Sequence, residues 1–300
     1  MAKKKVGVVI YTYDRADDAK INMEIIRSTW ATQKLLKDVP IVHVFNGNKE
    51  WWPEKYLEND LVIVENTGHF SGCALQIDAG ICHFKDNYPE ITHVVVLAAD
   101  TWILEPAYLT NVIKEMSRED MFLASCGWVM PVQTSAYWRN AAVDYFVIDL
   151  KFANSYGFFP LAFDQIEQKY GEIFALQSFT ILVESVLVLR FRQALLRYVG
   201  EPKPSESLID SIVREHIYLM KEREPVHLYK PIFERKMYHP EIGLLGHHDP
   251  IPKQEILKNY DSTGFGPNAM RFLESTDLSY FNKGITTAFY QKKHKKHILK

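Results

Sequence analysis

The sequence predicts an α/β fold: a Rossmann-like, mostly parallel sheet flanked by helices, with a C-terminal extension. Two observations predict it. Short apolar runs, at 6–13, 40–45, 61–64 and 93–97, alternate with stretches whose apolar residues recur at helical spacing. The fourth run, His93-Val94-Val95-Val96-Leu97-Ala98-Ala99-Asp100, stops abruptly on one acidic residue, with Trp102 and Pro106 just beyond. A buried parallel strand that ends on an Asp sets a carboxylate at the carboxyl edge of the sheet, where ligands bind. A charge in that position needs solvent, a partner or a metal. The competing role is a cap for the backbone N–H groups of the following turn.

Taken in order, Val6-Gly7-Val8-Val9-Ile10-Tyr11-Thr12-Tyr13 reads as the first strand, ended by Asp14 and Arg15. Between Ala16 and Leu36 the spacing of Ile21, Ile25, Ile26 and Trp30 predicts a helix. Pro40 to Phe45 is the second strand, closed by the turn Asn46-Gly47-Asn48. Leu61 to Val64 is the third, ending at Glu65-Asn66-Thr67-Gly68, and a helix is predicted over Ser71 to Phe84. Strands that alternate with helices imply parallel pairing through right-handed crossovers.

Beyond residue 115 the alternation weakens. Met121 to Val132 reads as a strand and loop, Val143 to Phe152 as extended and aromatic, and Ser155 to Leu161 as a loop. Phe179 to Arg190 is read as a strand and Gln193 to Tyr198 as helical. Glu201-Pro202-Lys203-Pro204-Ser205-Glu206 leads into a helix over roughly 207–223, with Ser205 as its N-cap. The expected organisation is one domain over 1–225, with halves 1–115 and 116–225. Residues 226–300 form an extension packed on it, ending in a flexible basic tail over 291–300.

A hydrophobic share of 47% and a charged share of 24% are those of a globular chain. The net charge of −2 excludes a global electrostatic pull toward nucleic acid. Cys73, Cys82 and Cys126 lack CxxC spacing, and their odd number argues against a disulfide framework. A reducing compartment and a cytoplasmic location are therefore expected. The tail residues Lys292-Lys293-His294-Lys295-Lys296-His297 suit weak contact with anionic lipid head groups. They equally suit a solvated terminus.

Four landmarks together resemble the GT-A fold nucleotide-sugar glycosyltransferases, in particular the inverting family 2 type. Val9 to Arg15 looks like the family's opening strand and its "PTYNR"-type turn. Glu65-Asn66-Thr67-Gly68-His69, with Gly72 and Ala79-Gly80, is similar to its "N-x-G" element and small-residue helix. Ala98-Ala99-Asp100 with Pro106 stands where the family carries its DxD motif. Val186 to Arg190, Gly200 and Ser205-Glu206-Ser207 are similar to the strand, helix and "ED" element that supplies the base. The resemblance spans about residues 6–220. The chain departs from it at Ala98, at Ser207 and at Phe45-Asn46-Gly47, where the family carries acidic residues.

The resemblance implies transfer of a sugar from a nucleoside-diphosphate sugar to a hydroxyl of a glycan, lipid-linked or protein acceptor. A divalent ion, Mn²⁺ or Mg²⁺, would neutralise the diphosphate leaving group. Asp100 is the implied metal ligand, with His247 and His248 as candidates from the C-terminal region and His239 as a weaker one. An imidazole among oxygen ligands would favour Mn²⁺. Glu206 is the implied base for the acceptor hydroxyl, with Asp210 as fallback and Glu184 as a third option. Thr12, Tyr13 and Asp14 would meet the nucleotide base and ribose, as would Asn46, and Asn66 and Gly68 end the third strand. Each has a structural reading too: Glu206 as a charge at a helix N-terminus, the tyrosines as strand aromatics, Asn66-Gly68 as a plain turn. Two rival readings stay open. A sugar-phosphate nucleotidyltransferase would want a glycine-rich phosphate loop after the first strand, and Tyr11-Thr12-Tyr13-Asp14-Arg15 has no glycine. A non-catalytic nucleotide-sugar-binding protein would explain the departures at Ala98 and Ser207.

Overall fold

The computed structural model describes residues 5–13, 16–51, 59–99, 101, 103, 106–118, 120–125, 143–176, 183–200 and 237–238. The strands are β1 (Val6–Thr12), β2 (Ile41–Phe45), β3 (Asp60–Ile63), β4 (His93–Ala98), β5 (Leu123–Ser125), β6 (Tyr145–Asp149) and β7 (Met237–Tyr238). The helices are α1 (Ala16–Thr29), α2 (His69–Asn87), α3 (Pro106–Arg118), α4 (Leu150–Tyr156), α5 (Phe163–Leu176) and α6 (Val183–Tyr198). One sheet takes the order β3-β2-β1-β4-β6-β5-β7. β1 pairs in parallel with β2 and β4, β2 with β3, and β5 with β7, while β6 runs antiparallel to β4 and β5. This is the expected α/β class, a mostly parallel sheet with helices on both faces.

The continuous apolar runs follow from burial on two sides. In β1, Val8 and Ile10 face a core shared with Ala19, Met23 and Ile26 of α1 and with Leu109, Val112 and Ile113 of α3. Val9 and Tyr11 face the opposite core, built with Ala74, Ile77 and Ile81 of α2 and with residues of α4, α5 and α6. The chain thus leaves β1 toward one face through α1, and reaches β4 across the other through α2. Between β1 and β4 the connections diverge to opposite faces, the topological switch point of this sheet. Pro106 starts α3 in the first turn, where its missing N–H forfeits no intrahelical bond.

Several expected elements shift. The first helix ends at Thr29 and gives way to a 3-10 turn over Trp30–Thr32. The extended stretch from Val143 turns helical at Leu150, where the Asp149 carboxylate accepts from Phe152 N at 2.8 Å as an N-cap. The stretch read as a strand to Arg190 and a separate helix is a single helix, α6. Its run Val186-Leu187-Val188-Leu189 is buried all round, which hides the helical repeat of Val183, Leu187, Phe191 and Leu195. Glu184 therefore lies in the first turn of a helix rather than on a strand. No helix among the described residues is long and apolar enough to cross a membrane.

Candidate functional site

The carboxyl ends of β1, β2 and β4 are tied into one edge by hydrogen bonds. Asn46 N donates to Thr12 O at 3.2 Å, and Ala99 N donates to Tyr11 O at 3.0 Å. Gln76, buried on α2, donates its side-chain amide to Thr12 O and to Val44 O, the latter at 2.9 Å. One side chain from the helix thereby fixes the ends of two strands. No feature of the sequence singled out Gln76, because a polar residue inside an amphipathic helix resembles a surface position.

Around this edge the backbone packs too closely for side chains. A Cβ on Gly47 would lie 2.1 Å from Tyr13 O, and one on Gly72, in the first turns of α2, would lie 2.0 Å from Asn46 Nδ2. Asn46 is only 2% exposed, and its Oδ1 has no hydrogen-bond partner among the described residues. Such an unmet buried acceptor is uncommon and calls for a reason.

The other expected base and ribose contacts fare differently. Thr12 is buried, and its hydroxyl pairs with His43 Nε2 at 3.0 Å on the α1 side of the sheet. Burial, with the nearby Lys20 charge, lowers the His43 pKa to about 4, so its ring is neutral. Thr12 thus shapes the end of β1 through internal bonds. Tyr13 is 43% exposed at the lip of the edge, open for a ring to stack on. Asn66 accepts from Gly68 N at 3.2 Å in a local turn, and Gly68 carries φ +98 ahead of α2, a conformation that favours glycine. Asp14, Asp100, Glu206, Asp210, His239, His247 and His248 lie outside the described residues.

Position 100 is nonetheless bracketed. Thr101 N donates to Ala98 O at 2.9 Å, and Ala98 N donates to Asp144 O at 2.9 Å. Ala99 and Thr101 are both buried. Ala98, Ala99 and Thr101 are therefore anchored at the end of β4.

A second group of polar residues lies beside it on the α2 face. The Tyr11 hydroxyl donates to Asp144 Oδ1 at 3.2 Å at the start of β6. Cys73 of α2 meets the Tyr11 hydroxyl, and burial, then the Asp144 charge, push its thiol well above the usual range. The Glu184 charge acts in the same direction. The Asp144 and Glu184 charges thus both act on the Cys73 thiol. Asp144 was hidden in the sequence within an aromatic stretch whose register could not be read.

Further along α2, the half-buried Asp78 accepts from Leu161 N at 2.6 Å and from Ala162 N at 3.1 Å. Burial raises its pKa to about 6 despite these bonds and the Arg190 charge. Arg190 of α6 donates through Nε to Leu161 O at 3.1 Å. This group fixes the 158–162 loop and points away from ligand chemistry.

No protein-family model and no curated protein matches the chain. Solved structures are similar at a distance. A mannosyltransferase from Pyrobaculum calidifontis, in complex with GDP-Man and Mn²⁺, is 15% identical, with 77% of this chain and 73% of that one covered and a TM-score of 0.38. A CMP:2-keto-3-deoxy-manno-octonic acid synthetase complexed with CTP is 9% identical over 74% of this chain and 100% of that one, with a TM-score of 0.36. A 4-diphosphocytidyl-2C-methyl-D-erythritol synthase from Anaerococcus prevotii is 12% identical over 73% and 99%, with a TM-score of 0.35. Likenesses at this distance carry no argument about what this chain does.

Proposed function

We propose that the chain is a nucleotide-sugar glycosyltransferase whose donor lies at the switch point between β1 and β4. The observation that carries the reading is the unmet Oδ1 of Asn46, buried at the carboxyl edge where Gly47 and Gly72 pack the backbone closely around it. Such an acceptor suits the ring N–H of a nucleobase or a ribose hydroxyl. Tyr13 offers an exposed ring for stacking, and Asp14 adjoins it in sequence. A topological switch point is where an α/β sheet binds nucleotides.

The resemblance of Ala98-Ala99-Asp100 to a metal-binding motif assigns the ion to Asp100, with His247 and His248 as further candidates. No group of metal-ligating side chains forms among the described residues alone. The metal's place rests instead on the resemblance of the sequence motif. When bound, Mn²⁺ or Mg²⁺ supplies charge neutralisation for a departing diphosphate. The chain's own part is to bind the nucleoside, hold the sugar's anomeric carbon toward the acceptor and take the acceptor proton. Glu206 is the base in this reading, with Asp210 as fallback. Glu184, in the first turn of α6, is the third candidate. The acceptor is a hydroxyl of a glycan, lipid-linked or protein molecule, and inversion follows from a single displacement.

The experiment incubates the protein with Mn²⁺ and a panel of nucleoside-diphosphate sugars plus mixed glycan and lipid acceptors. Release of nucleoside diphosphate that depends on Asp100 and falls in Glu206→Gln supports the reading. Pyrophosphate release from a nucleoside triphosphate and a sugar phosphate would replace it with a nucleotidyltransferase. Binding without turnover across all acceptors would leave a nucleotide-sugar-binding protein.

A further inference from the structure

Gly72, Gln76 and Gly80 stand four residues apart on α2, so they share the face that meets β1 and β2. At both glycines the helix lies too close to the sheet for a side chain. A Cβ on Gly72 would lie 2.0 Å from Asn46 Nδ2, and one on Gly80 would lie 2.6 Å from Val9 Cγ1 and 3.3 Å from Val44 Cγ2. Gln76, between them, is 2% exposed, and its helix neighbours Ala74, Ile77 and Ile81 are core residues. An apolar side chain would fill that position at lower desolvation cost, so the amide answers a demand of the sheet. Its Nε2 donates to Thr12 O and, at 2.9 Å, to Val44 O. Thr12 is the last residue of β1, and its carbonyl also accepts from Asn46 N at 3.2 Å. One buried amide therefore binds the same carbonyl that holds the Asn46 backbone, and a second carbonyl two residues before Asn46. The close approach that the flanking glycines allow is what brings the side chain within reach of both.

We infer that Gln76 is a positioning residue for the nucleoside: its amide fixes the strand ends that present the open acceptor of Asn46. The inference rests on the reading of Asn46 as a nucleoside contact given above. Asn46 follows the last paired residue of β2, Phe45, so it stands where the ladder gives out. Its Oδ1 makes no hydrogen bond among the described residues, so no bond of its own places that oxygen there. A strand end that frays would let the acceptor swing away from a ligand. Bonds from α2 to both strands remove that freedom before a ligand arrives. One hydrogen bond lost from a misplaced acceptor is worth up to about tenfold in affinity.

The test uses the full chain, with UDP, GDP, ADP and CDP as probes. Affinity is read by calorimetry, and looseness of the edge by hydrogen exchange at the Asn46 amide, which donates to Thr12 O. Gln76→Met keeps the length of the side chain and removes the donor, and Gln76→Glu keeps its shape should the first variant fail to fold. Ile81→Ala, in the same helix and core, serves as the control for a merely structural loss. The inference expects faster exchange at Asn46 and nucleotide binding weakened by about five- to tenfold in the Gln76 variant, with neither change in Ile81→Ala. Because Gln76 acts through Asn46, its substitution adds no further loss of affinity in an Asn46→Ala background. Wild-type affinity or unchanged exchange in a folded Gln76 variant overturns the inference, as does a fully additive loss in the Asn46→Ala background or an equal effect of Ile81→Ala. A wild-type chain that binds none of the four probes overturns the nucleoside reading and the binding role of Gln76 with it. Wild-type binding that the Gln76 variant leaves intact overturns this inference alone.

Discussion

Acidification acts on this fold through a buried histidine and a half-buried carboxylate that pull in opposite directions. Asp78 moves from an ordinary value of 3.8 to about 6 in the folded chain, chiefly through burial. The folded state therefore binds its proton more tightly than the unfolded state. Above pH 6 the ionised carboxylate costs the fold about 3 kcal/mol, and the cost fades as pH falls toward 4. His43 moves the other way, from 6.5 to about 4. Its fold is favoured while the ring stays neutral, and about 3 kcal/mol is lost as pH falls from 6.5 through 4. In the wild type these two slopes offset one another. Asp78→Asn removes one of them. At pH 7 the variant is relieved of the buried charge but presents an amide to one of the N–H groups of Leu161 and Ala162, at about 1–3 kcal/mol, so it stays near wild-type stability. At pH 4 it has no relief to gain, and the wild type exceeds it by about 2 kcal/mol more than at pH 7. Urea unfolding of both proteins at several pH values between 4 and 7 measures the difference. A difference that does not change with pH would refute the burial argument for Asp78.

Three further outcomes follow from the geometry. Asn46→Ala removes the unmet acceptor at the edge, so nucleoside-diphosphate affinity by calorimetry falls about tenfold while the melting temperature holds or rises. Gly72→Ala sets a Cβ 2.0 Å from Asn46 Nδ2 and displaces that amide, so binding falls as in Asn46→Ala, with an added stability loss of about 1–3 kcal/mol in urea. Gly80→Ala drives a Cβ to 2.6 Å from Val9 Cγ1 and 3.3 Å from Val44 Cγ2, so α2 lifts off the sheet at a cost of about 1–3 kcal/mol and the unfolding midpoint drops.

The first half of the fold was legible because its strands are buried on both faces and punctuated by turn residues. Val6 to Thr12, Ile41 to Phe45 and His93 to Ala98 stand within a residue or two of their expected bounds. The second half was less so. Val186-Leu187-Val188-Leu189 carries β-branched residues in a helix buried all round, and an apolar run alone does not separate that from a buried strand. Asp149 ends β6 by capping α4, a switch that depends on one side-chain bond. At the site, Asn46 and Tyr13 were legible as the ends of strands. Gln76 and Asp144 were not, because each acts through partners roughly 30–130 residues away along the chain. Spacing along a sequence reports local periodicity, and buried amides that clasp distant carbonyls leave no such period.

The most direct test of the central claim is a thermal-shift screen of nucleoside diphosphates and nucleotide sugars, with and without Mn²⁺, on the wild type and Asp100→Ala. A ligand that binds only the native state raises the melting temperature by mass action. The account predicts a rise for one nucleotide class that needs both Mn²⁺ and Asp100. No rise with any nucleotide, or the same rise in Asp100→Ala, would contradict it.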